Sequence, residues 1–311
     1  MEGITHTLSG VVVSSLGIRQ GFGTTVTTAF IISTVFPDID FLAMWINRYY
    51  YLRYHRGITH SLLGILIFSF LIALIFYLST GHSDFKILYL VSLAGMAMHV
   101  GFDFLNSYGT QILLPFSSQK YSLDLDIIFD LWFIGPLVFG SLAIYVFPKS
   151  QRIIALLILT LILLSVAFRY VQRQRAIGLI RVAQSEKPLA TFPAGMESFY
   201  NPFLWRGVIL REDGYLSYEV DTSRRKITSS IVHSCDKVIL AKYMSRSELL
   251  RTFLLWARFP FGTVEKDDSG TTILCGDLRF ASREKPNYFL LRIRLDQEGN
   301  EISSRFSFRG I

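Results

Sequence analysis

The chain opens with two moderately apolar runs, residues 4–17 and 22–36, split by Gly17-Ile18-Arg19-Gln20-Gly21-Phe22-Gly23. Three glycines and an arginine make a poor bilayer midpoint and predict a turn. Each arm, about 14 residues, makes roughly 21 Å of helix, short of a ~30 Å hydrocarbon core. A helical hairpin fits that length. It brings Pro37-Asp38-Ile39-Asp40 back to the end where His6 lies. Residues 41–54 are aromatic and basic, with Trp45, Arg48, Tyr49, Tyr50, Tyr51 and Arg53, the composition of a headgroup interface. Apolar runs at about 61–79, 87–105, 127–147 and 153–168 predict about four spans. The last emerges into Arg169-Tyr170-Val171-Gln172-Arg173-Gln174-Arg175.

From about residue 195 the pattern changes to short alternating runs: Trp205–Leu210, Tyr215–Val220, Thr271–Cys275, Leu278–Phe280 and Tyr288–Leu295. Turn signals separate them at Glu212-Asp213-Gly214, Asp267–Gly270 and Glu298-Gly299-Asn300, so they read as antiparallel strands. One helix is predicted from Ser247 to Phe259, with a serine as N-cap. The expected fold is therefore an α-helical membrane bundle, an N-terminal hairpin plus about four spans, followed by a small mainly-β (α+β) soluble domain. The boundaries are 1–170 for the membrane domain, 171–194 for a linker and 195–311 for the β domain.

Composition sharpens this division. Hydrophobic residues make up 51% of the 311 positions and mean hydropathy is +0.39, too apolar for an ordinary soluble chain. The excess lies before about residue 170. Net charge is +7. Counting crossings, Arg48, Arg53, Arg56, Lys120 and the 169–175 cluster share one side, with Arg19, Lys86, Lys149 and Arg152 mainly on the other. The positive-inside rule then places the first side, and with it the β domain, in the cytoplasm. No finger, RRM or helix-turn-helix pattern supports a nucleic-acid partner. The cysteines, Cys235 and Cys275, lack CxxC spacing and read as free cytosolic thiols. The N-terminus carries no basic n-region or A-x-A site, so no cleaved signal peptide is expected.

The polar groups at the ends of the apolar runs carry the candidate chemistry. His99 and Asp103, spaced i, i+4, share a helix face. Asp38 and Asp40 repel each other unless a cation lies between them. His55 and His60 flank Gly57, which lets the segment curl so that both imidazoles face one pocket. Arg56 is placed to pair with a carboxylate or to bind a substrate phosphate. Each has a plainer reading: a His–Asp hydrogen bond between helices, an acidic cap, or a basic loop gripping headgroups. A lone His6 is more often not a ligand at all. Their coincidence at one membrane face favours a metal site built from His6, Asp38, Asp40, His55, His60, His99 and Asp103. Such nitrogen and oxygen donors suit zinc, and also manganese or iron. Asp124, Asp126 and Asp130 cluster on the same face. Asp124 and Asp130 are candidate partners of the ligand histidines or of Arg56, or caps of the next span. Asn106, Tyr108, Gly109 and Thr110 are candidates to shape the pocket. His82 and His233 are assigned no role.

This arrangement resembles the membrane-bound metal-dependent hydrolases related to the LexA-regulated inner-membrane protein YdjM. The resemblance rests on His6-Thr7-Leu8-x-Gly10, Pro37-Asp38-Ile39-Asp40, His55-Arg56-Gly57-Ile58-Thr59-His60-Ser61, His99-x-x-x-Asp103, Asn106–Thr110, and Asp124 with Asp130. It covers about residues 1–145. That family is similar to zinc-dependent phospholipase C proteins, which implies a helical core and phosphoester hydrolysis at an inner membrane. The expectation is a hydrolase with one or two divalent ions, zinc first among them, acting on a lipid-type phosphoester, with membrane lipid as its other partner. Asp38 would act as general base if it is not a ligand, and Arg56 would neutralise the phosphate. The competing expectation is a non-enzymatic membrane protein with a structural metal or ion-pair cluster and a partner-binding β domain.

Overall fold

The computed structural model describes residues 3–46, 48–82, 84–212, 214–234, 237–281 and 290–307. Cys235, Asp213 and the start of the strand expected from Tyr288 lie outside these. The chain divides into two units, Met1–Tyr170 and Val171–Ile311. The first is helical and the second is built mainly of two antiparallel sheets.

In the first unit, α1 (Gly3–Ser14) and α2 (Ile18–Ser33) form the hairpin. Its open ends meet where the Thr34 hydroxyl donates to the His6 carbonyl over 3.1 Å. The turn is tighter than the glycine spacing suggested. Gly17, at φ 153°, reverses the chain, and Arg19 and Gln20 already belong to α2. Gly23, at φ 80°, leaves a kink inside that helix instead of the turn itself.

A 3₁₀ turn over Phe36–Leu42 follows, then α3 (Ala43–Ile46), α4 (Arg48–Tyr54) and a second 3₁₀ turn over Ile58–His60. The apolar helices are α5 (Leu62–Thr80), α6 (Phe85–Leu105), α7 (Leu131–Val146) and α8 (Gln151–Gln184). Among the described residues, three segments are long and apolar enough to cross a membrane: α5, α6 and Pro148–Gln184. Helix α2 and the Phe36–Ile46 segment meet that test only together, bent by 48°. Helix α7 is shorter and begins later than the expected 127. The carboxylate of Asp130 accepts from Trp132 N (2.7 Å) and so fixes the helix start.

Close helix contacts set where the polar ends fall. A Cβ on Gly95 of α6 would lie 2.7 Å from the Phe30 carbonyl of α2, so only glycine permits this approach. Gly64 matters more for function. The Ser61 hydroxyl caps α5 by accepting from Gly64 N (3.0 Å), and a Cβ on Gly64 would fall 1.9 Å from the Ile58 carbonyl. Gly64→Ala therefore has to displace the turn that carries His60. We expect it to cost about 1–3 kcal/mol of stability. It should also lower the metal content of the purified protein, measured by elemental analysis, although no candidate ligand has been changed.

The segment 106–130 is tied to the end of α6. Leu125 N and Asp126 N both donate to the Leu105 carbonyl, over 2.8 and 2.9 Å. Its Asp126 and Asp130 are buried, as is Arg169, which pairs with Asp130. Burial, then the Asp130 carboxylate, pushes Asp126 well above the ordinary carboxyl range. The folded state thus keeps a proton that the unfolded chain gives up above about pH 4. Stability contributed by this group falls as pH rises from there. Asp126→Asn should flatten that fall and raise the melting temperature at pH 7–8, readable in a thermal scan across pH.

In the second unit, the last turns of α8 continue to Gln184, through much of the stretch 171–194 that the sequence offers as a linker. One sheet is the meander β1 (Ala190–Pro193), β2 (Leu204–Arg211), β3 (Gly214–Asp221), β4 (Lys226–Ser234). The other is β5 (Pro260–Asp267), β6 (Gly270–Asp277), β7 (Leu290–Leu295), β8 (Glu301–Ser307). Ala176 and Ile180 of α8 pack with Trp205, Ile209, Tyr218 and Val220 of the first sheet. The expected helix is α10 (Glu248–Trp256), capped by Ser247. A second, α9 (Lys237–Tyr243), was not foreseen. Leu278–Phe280 is a turn and not a strand, because the Asp277 carboxylate accepts from Arg279 N (3.0 Å) and bends the chain there. Cys275 is buried.

Candidate metal centre

The hairpin, the two 3₁₀ turns and the end of α6 bring His6, Asp38, Asp40, His55, His60, His99 and Asp103 together in the first unit. Within this group Asp38, His60, His99 and Asp103 converge as a four-residue donor set, its ligand atoms within 4.8 Å of one another. His60, His99 and Asp103 are fully buried, while Asp38 keeps 17% side-chain exposure. Asp38 therefore marks the open side.

The hydrogen bonds fix which ring nitrogens face the centre. His99 Nδ1 donates to the Thr34 carbonyl (2.8 Å), which can only accept. The Thr59 hydroxyl gives its single proton to Asp40 Oδ2 (2.9 Å), so toward His60 Nδ1, also at 2.9 Å, it accepts. When both rings are neutral they present bare Nε2 atoms to each other, 3.1 Å apart. Two lone pairs at that distance repel unless a cation or a proton lies between them. Around them, Asp103 Oδ2 is 3.3 Å from His60 Nε2 and 3.5 Å from His99 Nε2. Asp38 Oδ1 is 3.6 Å from each. Donors about 2.0–2.2 Å from a tetrahedral zinc stand roughly 3.3–3.6 Å apart. The donor spacing and chemistry thus fit one such ion. Burial lowers the His60 imidazole, but Asp103, Asp38 and Asp40 outweigh it and raise it to about 10. The cluster holds a proton strongly, as expected where carboxylates converge on one point.

Each inner donor is held by a partner behind it. Thr34 orients His99, and Thr59 with Asp40 orients His60. Arg56 Nη2 grips Asp103 Oδ1 at 2.8 Å. The carboxylate is one of the two partners expected for Arg56. Its side chain is 2% exposed, and φ is 60°, a costly conformation for a non-glycine residue. Tyr108 covers the guanidinium, 4.9 Å from the ring centroid.

His6 lies beside the four donors. Its ring stacks on His99 at 3.6 Å, and its Nε2 is 3.5 Å from Asp103 Oδ1. Among the described residues neither of its buried nitrogens has a hydrogen-bond partner, a cost that a nearby cation would offset. Asp38, Asp40 and His55 form a second cluster. There His55 Nδ1 and Asp40 Oδ1 are 2.8 Å apart, a hydrogen-bond distance shorter than a metal-polyhedron edge. Burial lowers the His55 imidazole and Asp40 only partly restores it.

The remaining candidates lie outside the centre. Asp130 caps α7 and pairs with Arg169, and Asp124 Oδ1 accepts from Ser122 (2.6 Å). Asn106 Oδ1 accepts from Tyr108 N (2.7 Å), and Gly109 takes φ 86°. Together these shape the loop that sets Tyr108 over Arg56. The Thr34 carbonyl and Arg169 were not anticipated. A backbone acceptor leaves no trace in residue type, whereas an arginine closing an apolar run was a visible hint.

A helical membrane unit holding a buried His/Asp cluster defines a membrane protein with a candidate metal centre. The family model described as YdjM inner membrane protein matches residues 1–176, more than half of the chain. The chain belongs to that family. It is also 34% identical over 137 residues to the uncharacterized protein YfhP of Bacillus subtilis (strain 168), covering 42% of each chain. The match thus spans less than half of that relative's length. No solved structure matches.

Proposed function

We propose that this protein is a membrane-bound hydrolase that depends on one divalent ion, zinc, and acts on a lipid-type phosphoester. The observation that carries this reading is the spacing of the four donor atoms, with the Nε2 atoms of His60 and His99 facing each other. A bound ion would acidify water and polarise a phosphoryl oxygen. His60, His99 and Asp103 form its buried wall, and Asp38 closes it on the open side. A lipid substrate is supported by the chain that follows Asp38. Ile39, Phe41 and Leu42 are exposed, and Trp45 and Ile46 are 80% and 78% exposed, so an apolar ledge lies next to the polar site. The arginine-rich side of the spans supports a cytoplasmic site and β domain, testable by cysteine labelling in intact cells. Metal analysis of the purified protein, with a turnover screen against phospholipids and prenyl phosphates, tests the whole reading. An ion-free protein, or a loaded one that turns over none of these, overturns it.

A second reading has its own support. With all four donors bound, a tetrahedral ion has no vacant corner, which is the mark of a structural site. Chelation would then lower the melting temperature while no phosphoester is hydrolysed at any metal loading.

A further inference from the structure

His55 differs from the other histidines of the cluster. His60 and His99 are sealed at 0% exposure with Nε2 turned to the donor set, whereas His55 keeps 10% side-chain exposure. Its Nδ1 is bound to Asp40 Oδ1 at 2.8 Å. Because a carboxylate only accepts, Nδ1 carries the proton and Nε2 is left as a base. The ring is clamped by Tyr51, stacked at 4.6 Å, and by Tyr108, edge-on at 5.4 Å. Its centroid is 6.0 Å from that of His60, beside the donor set and not within it.

Asp40 is equally occupied. Oδ1 accepts from His55, and Oδ2 accepts from Arg56 N (3.0 Å) and the Thr59 hydroxyl (2.9 Å). It fastens the turn from His55 to His60 and has no oxygen left uncommitted among these contacts. A carboxylate that fixes the tautomer and orientation of an imidazole whose second nitrogen is basic is the arrangement of a proton-transfer dyad.

We propose that His55 is the proton carrier of the reaction, with Asp40 as its positioning residue, and that neither binds the ion. The inference rests on the hydrolytic reading above. As water attacks phosphorus, one O–H bond breaks and its proton passes to His55 Nε2. The new P–O bond forms and the bond to the leaving oxygen breaks. The resulting imidazolium, held by Asp40, returns its proton to that oxygen. One water is consumed, the alcohol leaves with phosphate from a monoester or with a phosphate monoester from a diester, and His55 is neutral again.

The test uses full-length protein with zinc, assayed on 4-nitrophenyl and phenyl phosphate mono- and diesters. His55→Gln can still donate a hydrogen bond to Asp40 but accepts no proton. It should keep the wild-type number of ions per chain and lose about 10²–10⁴-fold in kcat. The loss should be larger for phenyl esters, whose leaving oxygen is more basic. Added imidazole should partly restore His55→Ala. An ion lost from His55→Gln would make His55 a ligand, and undiminished turnover would make it a bystander; either result overturns the proposal alone. A zinc-loaded wild type inert toward every ester removes the hydrolytic reading, and this proposal with it.

Discussion

Asp103→Ala is expected to yield a protein that inserts in the membrane but holds no divalent ion and hydrolyses no phosphoester. Three buried groups converge on that carboxylate: His60 and His99 on Oδ2, at 3.3 and 3.5 Å, and Arg56 on Oδ1, at 2.8 Å. Its removal leaves the guanidinium buried without its counter-ion and takes away the one fully buried anionic donor. His60→Ala should have the same effect on the ion, since its Nε2 contributes a corner of the donor set. Elemental analysis of both variants in detergent, beside wild type, measures it. A full complement of ion with full turnover in both would end the metal reading.

The second large effect is expected at Arg56. Breaking a buried ion pair by deleting one partner typically costs about 3–5 kcal/mol, because the other charge stays buried and unpaired. Arg56→Ala should therefore melt well below wild type. A bound ion partly compensates Asp103, so the loss should be greatest in the metal-free protein and should shrink when zinc is added. Arg56→Lys should recover only part, because an ammonium cannot reach both Asp103 Oδ1 and the Asp103 carbonyl as the guanidinium fork does, at 2.8 and 3.4 Å. Thermal scans with and without zinc separate these outcomes. Equal melting of wild type and Arg56→Ala in both conditions would show that the pair does not matter for stability.

Arg56 and Asp40 also show where sequence reasoning stops. Within the peptide, each had two physically sensible partners. An arginine beside a metal motif suits a phosphate as well as a carboxylate, and an aspartate suits an ion as well as a backbone amide. The choice depends on which atoms lie within 3 Å once α6 has returned, and no periodicity encodes that. The same holds for the glycines. Gly17, Gly21 and Gly23 marked a break, but only the packed hairpin showed that Gly17 makes the turn and Gly23 the kink.

The sequence alone determined the architecture, because burial in a bilayer and in a sheet each impose a period on residue type that survives in one dimension. Long apolar runs became α5, α6 and α8, short alternating runs became the β-meanders, and polar groups collected at span ends on one face. It also determined which residues were the candidates, since histidine, aspartate and arginine beside apolar runs are too costly to be placed there without partners. Tertiary structure decided the pairing. It set His60 and His99 nitrogen to nitrogen, gave Asp103 to Arg56, left His6 at the edge and drew Asp40 to His55. Hydrogen bonds and ion contacts act over about 3 Å, and residues 39 positions apart reach that distance only when the helices between them have packed.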